Sequence, residues 1–149
     1  MLVNANCTIS VTFDPTESGK LTGSIKITDN AVNSSQKVPL SGTGTAVELS
    51  PARLNFGSHK VGTTSAPKTV TVTNAGTTTV TFTAPTIDGA DPGDFHQTNN
   101  CGASVAGGAS CTISITFTPT ATGARDATLE VNDDGGASPQ TAALSGTGT

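Results

Sequence analysis

Apolar residues alternate with threonine or serine along several short stretches of the chain, as expected for strands with one buried face. The polar positions are mostly threonine, whose β-branched side chain suits the solvated face of a sheet. No stretch has the 3.6-residue period of a helix. The alternating apolar positions in residues 46–149 are Val70, Val72, Val80, Phe82, Ile113, Ile115, Phe117, Ala127, Leu129, Val131, Ala142 and Leu144. The pattern therefore predicts an all-β protein.

Turn-forming sequences separate these stretches. They are Asn74-Ala75-Gly76, Asp88-Gly89, Pro92-Gly93, Pro119 to Gly123 and Asp134-Gly135-Gly136. About seven strands in roughly 100 residues, with turns this close together, indicate an antiparallel immunoglobulin-like β-sandwich. Because Pro51 falls inside the stretch Val47 to Phe56, we expect a first strand that is broken at a sheet edge.

The end of the chain repeats its beginning. Residues 7–45 align without a gap to residues 111–149 at a constant offset of 104, and 18 of the 39 aligned positions are identical. We call these two stretches the first copy and the second copy. We expect residues 46–149 to form one complete immunoglobulin-like repeat, and residues 1–45 to be the C-terminal half of a preceding repeat of the same type.

A half repeat of this kind cannot bury both inner faces of a sandwich, and its edges are open to pairing. Three arrangements would cover it. It can continue a longer tandem array, it can pair with a neighbouring chain in a dimer or fibre, or it can pack on the complete repeat of its own chain.

Composition narrows the function. The chain has 149 residues and a formal net charge of −4, with 7 basic residues, and its aromatic residues are five phenylalanines. So few basic residues disfavour nucleic-acid binding, and the scarcity of aromatic rings disfavours a stacking site for sugars or nucleotides. The apolar runs are far shorter than the ~18 residues that span a bilayer, so we expect no membrane insertion.

We find no arrangement of reactive residues that predicts catalysis, a cofactor or a metal. His59 and His96 are far apart and lack neighbours at metal-ligand spacing, so we expect both to be loop residues in solvent. Asp88, Asp91 and Asp94 lie in one loop, but their spacing does not match a calcium-binding loop and they are typical of turns. The same holds for Asn132 to Gly136. No serine lies in a Gly-x-Ser-x-Gly motif.

Several motifs, in their order along the chain, resemble a known family. They are Leu54-Asn55-Phe56-Gly57, Val61-Gly62-Thr63-Thr64, Val70 to Gly76, Asp94-Phe95, Cys101-Gly102, Cys111 to Pro119 and Leu144-Ser145-Gly146-Thr147-Gly148. This order resembles the bacterial choice-of-anchor D repeat, which is similar to the ASH domains of abnormal-spindle protein and hydin and, more distantly, to the major sperm protein fold. The resemblance implies an immunoglobulin-like, non-catalytic module, and it carries over no functional residues.

The repeat explains why the chain has an odd number of cysteines, three. Cys101 and Cys111 are ten residues apart and flank a glycine-rich stretch, so two strands joined by a loop can bring them together. We expect a disulfide between them, which would imply an oxidising compartment; the alternative is two reduced core cysteines. Cys7 aligns with Cys111, and its partner would lie before Met1.

The expected function is a non-catalytic structural or adhesive tandem repeat of a secreted or cell-surface bacterial protein, acting as a stalk, spacer or fibre element. Its expected partners are proteins or neighbouring repeats of the same kind, including a homo-oligomer or filament formed through the incomplete repeat by strand addition. The alternative is an intracellular scaffold domain that binds cytoskeletal proteins or peptides, as in the eukaryotic relatives, and reduced cysteines would favour it.

Overall fold

A computed structural model of the chain describes residues 6–13, 15, 19–30, 32, 34–44 and 46–149. The described residues contain no α-helix, and none forms a helix that is long and apolar enough to cross a membrane. The strands are β1 (Gly19–Ile27), β2 (Gln36–Gly44), β3 (Val47–Ser50), β4 (Arg53–His59), β5 (Lys68–Asn74), β6 (Val80–Thr81), β7 (Thr86–Asp88), β8 (Phe95–Asn99), β9 (Ser104–Val105), β10 (Ser110–Phe117), β11 (Gly123–Val131) and β12 (Gln140–Gly148).

Strands β3 to β12 form the predicted all-β sandwich. One sheet has the order β3-β5-β10-β8 and is antiparallel throughout. The other has the order β4-β12-β11-β7, in which β4 runs parallel to β12 and the remaining pairs are antiparallel. Strands β6 and β9 form a small separate pair. We refer to residues 46–149 as the sandwich.

The break predicted at Pro51 is where the chain changes sheets. Strand β3 ends at Ser50 on the edge of one sheet, and β4 begins at Arg53 on the edge of the other. Proline has no backbone N–H to contribute to a ladder, so an edge is where it interrupts the fewest hydrogen bonds. One stretch of sequence thereby joins the two sheets.

The core lies between the two sheets and is centred on three phenylalanines. The ring of Phe117 lies 4.9 Å from that of Phe95 and 5.8 Å from that of Phe56, measured between centroids. Along β10, every second residue is buried, as the alternation predicts. The other inward positions follow the same rule, with Val70, Val72, Val80, Leu129, Val131, Ala142 and Leu144 all at most 1% exposed.

Two strands lie where the alternation of apolar residues predicts none. Residues 86–88 form β7 and residues 95–99 form β8, on either side of a 3₁₀ turn at Pro92–Asp94. Each strand has a single apolar residue, Ile87 or Phe95, so neither displays an alternating pattern. Conversely, β6 is only two residues long, and Phe82 beyond it makes a single bridge to Asp133.

The first copy keeps the strand pairing of the second. Strands β1 and β2 pair antiparallel from Gly19 with Gly44 to Ile27 with Gln36, and every one of these pairs recurs in β11 and β12 at an offset of 104. Thr45, the last residue of the first copy, lies outside the described residues.

A close contact between a ring and a glycine also recurs in both copies. A Cβ atom added to Gly42 would lie 2.6 Å from the ring of Phe13, and one added to Gly146 would overlap the ring of Phe117. Each glycine therefore leaves the space that the phenylalanine ring occupies.

We expect Gly146→Ala to destabilise the sandwich by about 1–3 kcal/mol, the usual result of forcing an extra methyl group into a packed core. Urea unfolding measures the change. Gly93→Ala is the matched control, because no atom lies within 4 Å of its added Cβ and its backbone φ is not positive. Equal stabilities for the two variants would mean that the ring of Phe117 moves aside at no cost.

Candidate interaction surface

Cys101 and Cys111 are joined by a disulfide in the structure, with the two Sγ atoms 2.03 Å apart and the Cα atoms 4.9 Å apart. Cys101 follows β8, and Cys111 lies near the start of β10. Beside the bridge, the Oδ1 atom of Asn100 accepts a hydrogen bond of 2.8 Å from the backbone N–H of Thr112. The loop that carries β9 is thus fastened at its base. Cys7 is an exposed free thiol.

Two aspartates of the loop before β8 bind an arginine. Arg125 places its Nε atom 2.5 Å from Asp94 Oδ2 and its Nη2 atom 2.6 Å from Asp91 Oδ1. Thr120 donates a hydrogen bond of 2.7 Å to the other oxygen of Asp94, which is buried. Burial by itself raises the pKa of Asp94, but the hydrogen bonds from Thr120 and Arg125 hold that pKa below its ordinary value of 3.8. The charge of Arg125 therefore fastens the loop to β11.

The turn between β11 and β12 is fastened to β6 in a similar way. Thr81 donates to Asp134 from its backbone N–H at 2.9 Å and from its hydroxyl at 2.5 Å, and the hydroxyl bond lowers the pKa of Asp134. Asp133 accepts a hydrogen bond of 2.7 Å from the N–H of Gly135, and burial raises its pKa. In the described part of the chain, no group of three or more His, Cys, Asp or Glu side chains is placed to hold a metal ion.

The two histidines do not lie in loops, which corrects the prediction. His96 is exposed but belongs to β8, and His59 is the last residue of β4. His59 is only partly exposed, because its ring lies edge-on to Phe117 at 6.0 Å and its Nε2 atom is 3.2 Å from the carbonyl oxygen of Phe56.

Asn74 has a larger structural role than a turn residue. Its side chain is fully buried and donates to the carbonyl oxygens of Thr78 and Val105 at 2.8 and 2.9 Å. Its Oδ1 atom accepts a bond of 3.0 Å from the N–H of Gly76. The Asn-x-Gly sequence signals the last of these bonds, since an Asn side chain often caps the backbone two residues on. The long-range bond to Val105 has no local signal.

The first copy presents an open apolar face. Ile9, Val11 and Phe13 are 55%, 53% and 53% exposed, whereas the aligned residues Ile113, Ile115 and Phe117 are fully buried. Residues 7–13 do not form a strand, although the aligned residues form most of β10. Strand β10 pairs with β5 and β8, and the first copy includes no counterpart of either strand among its described residues. The other described residues leave this face exposed.

A groove of about 300 Å³ runs along the open face. Its apolar lining comes from Val11, Phe13, Leu21, Leu40 and Gly42. We call it the first-copy groove. In the sandwich, Phe117, which aligns with Phe13 of this lining, contacts the rings of Phe56 and Phe95. The groove therefore lies beside a phenylalanine whose counterpart in the sandwich contacts two aromatic rings, and it is the candidate interaction surface.

The sandwich is thus a two-sheet immunoglobulin-like fold whose charged groups fasten loops to strands. The chain matches the family model of ASH, described as "Abnormal spindle-like microcephaly-assoc'd, ASPM-SPD-2-Hydin", over residues 45–141. It belongs to this family, whose domain is a non-catalytic immunoglobulin-like fold. The predicted similarity to ASH domains is thus confirmed, and no curated protein matches the chain in sequence.

Solved structures of low sequence identity share the fold. The ASH/PapD-like domain 7 of human CEP192 is 20% identical, with a TM-score of 0.53 over 70% of this chain and 86% of that one. A protein of unknown function from Porphyromonas gingivalis W83 is 12% identical, with a TM-score of 0.56 over 87% and 66%. The Vibrio cholerae protease VesB is 20% identical, with a TM-score of 0.51, and the match covers 68% of this chain and 32% of VesB.

We expect the variant Cys101→Ala/Cys111→Ala to lose about 3 kcal/mol of stability, because a bridge that closes a loop of this length restricts the unfolded chain. Urea unfolding under non-reducing conditions measures the loss. The control is Cys7→Ala, which removes an unbonded thiol and should leave the unfolding midpoint unchanged. A double variant as stable as the unmodified protein would contradict a structural role for the bridge.

We expect Arg125→Leu to lower stability at pH 7, because it leaves the buried carboxylate of Asp94 without its cation. In the unmodified protein, the depressed pKa of Asp94 contributes stability that is present above pH 3.8 and is lost as the pH falls through the lower folded pKa. In the variant, Asp94 keeps Thr120 but loses the hydrogen bond and charge of Arg125, so its pKa rises and the stability lost between pH 7 and pH 3 should be smaller than in the unmodified protein.

Urea unfolding at several pH values measures how the free energy of unfolding depends on pH in the unmodified protein and in the variant. Arg53→Leu is the matched control, since Arg53 is exposed on β4 and its replacement leaves Asp94 paired. The same pH profile for both leucine variants would show that Arg125 does not neutralise Asp94.

Proposed function

We propose that the chain is a structural repeat module of the choice-of-anchor D type, from a secreted or cell-surface bacterial protein in which it serves as a stalk, spacer or fibre element. Residues 46–149 are one complete repeat and residues 1–45 are the closing half of the repeat before it. The observation that carries this proposal is the recurrence of the same nine-residue hairpin pairing at an offset of 104.

The short connection between repeats supports a mechanical role. Strand β2 ends at Gly44 and β3 begins at Val47. Ala46 between them is buried, its N–H donates to the carbonyl oxygen of Gly135 at 3.3 Å, and its own carbonyl accepts from Ala75 at 2.7 Å. These bonds fix Ala46 against the sandwich, so the chain enters β3 in one direction, as a repeat of defined orientation requires.

The polar groups support a role that depends on shape. Asp94 binds Arg125, Asp134 binds Thr81, and Asn74 binds backbone carbonyls. Each of these interactions fastens a loop to a strand of the sandwich. Rigid loops and strands are what a spacer requires, and we therefore propose that the chain itself is not an enzyme.

The disulfide supports the exported location over the intracellular alternative. Disulfides persist in oxidising compartments and are rare where glutathione keeps thiols reduced. An intracellular scaffold domain that binds cytoskeletal proteins or peptides would be expected to keep Cys101 and Cys111 reduced. We propose that the partners are neighbouring repeats of the same kind, joined in tandem or in a filament.

Location can be tested on cells that express the protein. An antibody against the sandwich, applied to intact and to permeabilised cells, should bind intact cells. Thiols should be alkylated before lysis, and the peptides of Cys101 and Cys111 should then be recovered as one disulfide. An antibody against a cytosolic protein is the control. Binding only after permeabilisation, with both cysteines alkylated, would establish the intracellular alternative instead.

A further inference from the structure

We infer that the first-copy groove docks one kind of occupant: an opening half of this same repeat, equivalent to residues 46–104, that is uncharged where the sandwich carries Asp91 and Asp94. This inference rests on the proposed repeat organisation and goes beyond it, because it states which opening half fits and which does not.

Backbone pairing identifies the occupant as an opening half. In the sandwich, β10 is flanked by β5 and β8, so that Ile113 lies opposite Val70 on one side and Asn99 on the other. Both flanking strands belong to residues 46–104. Residues 7–13 have the sequence of β10 but no such neighbours, and an opening half supplies both of them at once. A peptide that adds a single strand would leave one side of residues 7–13 unpaired.

Side-chain packing leads to the same occupant. Phe56 and Phe95 of the opening half enclose the ring of Phe117, with centroids 5.8 and 4.9 Å away. Phe13, which aligns with Phe117, lies against Gly42 in the same way but is 53% exposed beside a groove of about 300 Å³. Two rings from an incoming opening half would fill this groove and remove the apolar face from water.

Charge determines which opening half fits. Arg125 lies opposite Gly146 in the hairpin of the sandwich, and Leu21 lies opposite Gly42 at the equivalent place. Arg125 neutralises the buried carboxylate of Asp94, but Leu21 can neither neutralise a carboxylate nor donate a hydrogen bond to it. An opening half that carried both aspartates would therefore bury an unpaired charge against Leu21, which is strongly unfavourable.

The same mismatch acts against exchange between identical chains. Every copy of this chain has the same opening half, with Asp91 and Asp94 in it. Its preferred closing half is one with an arginine at the position of Arg125, as in its own sandwich. The leucine at position 21 thus favours a different member of the repeat series, which is specificity obtained by penalising the wrong partner.

Cys7 offers a covalent record of docking. It aligns with Cys111, which is bonded to Cys101 of the opening half, and it is exposed. When an opening half with a cysteine at that position docks, the two thiols can form a disulfide. Each thiol loses its proton, and the electron pair passes to a small-molecule disulfide, which is reduced to two thiols.

The test extends the full chain. A second copy of residues 46–104 is fused directly in front of Met1, which restores the offset of 104. Three fusions are made. The first keeps Leu21, the second carries Leu21→Arg, and the third keeps Leu21 but carries Asp91→Asn/Asp94→Leu in the added copy. The same Leu21→Arg change in the unextended chain is the matched control. The readouts are disulfide mapping of Cys7, in the presence of oxidised glutathione, and hydrogen exchange of residues 7–13 under reducing conditions.

We expect Cys7 to bond to the added cysteine, and the amides of residues 7–13 to exchange at least about tenfold more slowly than in the unextended chain. Protection should be stronger for the two charge-matched fusions than for the fusion that sets Leu21 against Asp94, by about tenfold. In the unextended chain, Leu21→Arg should leave the hydrogen exchange of residues 7–13 unchanged.

Two results would overturn the inference. Cys7 left unbonded, with unchanged exchange of residues 7–13 in all three fusions, would show that the groove does not take an opening half. Equal protection in the three fusions would show that residue 21 does not select by charge. Neither result depends on where the protein resides in the cell, and detection inside cells would leave this inference intact while removing the proposed extracellular role.

Discussion

The buried face of β10 is the interaction on which the rest of the sandwich depends. Ile113, Ile115 and Phe117 are fully buried, and strands on both sides of β10 contribute backbone hydrogen bonds. Side chains of the facing sheet complete the cover. Removing either the neighbours or the facing sheet exposes the same three residues, so neither sheet can be stable without the other.

Polar side chains hold the connections against this core. Asn74 is buried and satisfied by three hydrogen bonds, and Asp94 is buried and satisfied by Thr120 and Arg125. Leaving a buried polar group without a partner costs more free energy than its hydrogen bond contributes to stability. Each such residue therefore allows one conformation of its loop, and the loops are as specific as the strands.

Local patterns were sufficient to predict the strands that alternate, the broken edge strand at Pro51 and the two cysteines that the structure joins. They were insufficient for β7 and β8, which contain one apolar residue each and therefore show no alternation. They also left the partner of Asp94 unidentified, because Arg125 is 31 residues away in sequence and the contact exists only after β11 packs beside the loop. The alignment with the second copy suggested a strand at residues 7–13, but these residues do not form one, because the strands that flank β10 have no counterpart among the described residues of the first copy.

The two copies show which structural features depend on the local sequence and which depend on distant residues. The hairpin of β1 and β2 has the register of β11 and β12, and the contact of a phenylalanine ring with a glycine is the same in both. Hairpin pairing therefore needs only the closing sequence. By our inference, formation of a strand at residues 7–13 and burial of its apolar face need an opening half as well. The first copy has Leu21 where the second copy has Arg125. This difference adds a requirement on charge that strand pairing and apolar burial do not impose. Two opening halves of equal shape can differ in charge at the position of Asp94. Because this position is buried, the difference has a large effect on the free energy of pairing. If the chain is part of the array that we propose, such a difference would keep each closing half with its own opening half, because a wrong pairing would bury a carboxylate without a cation.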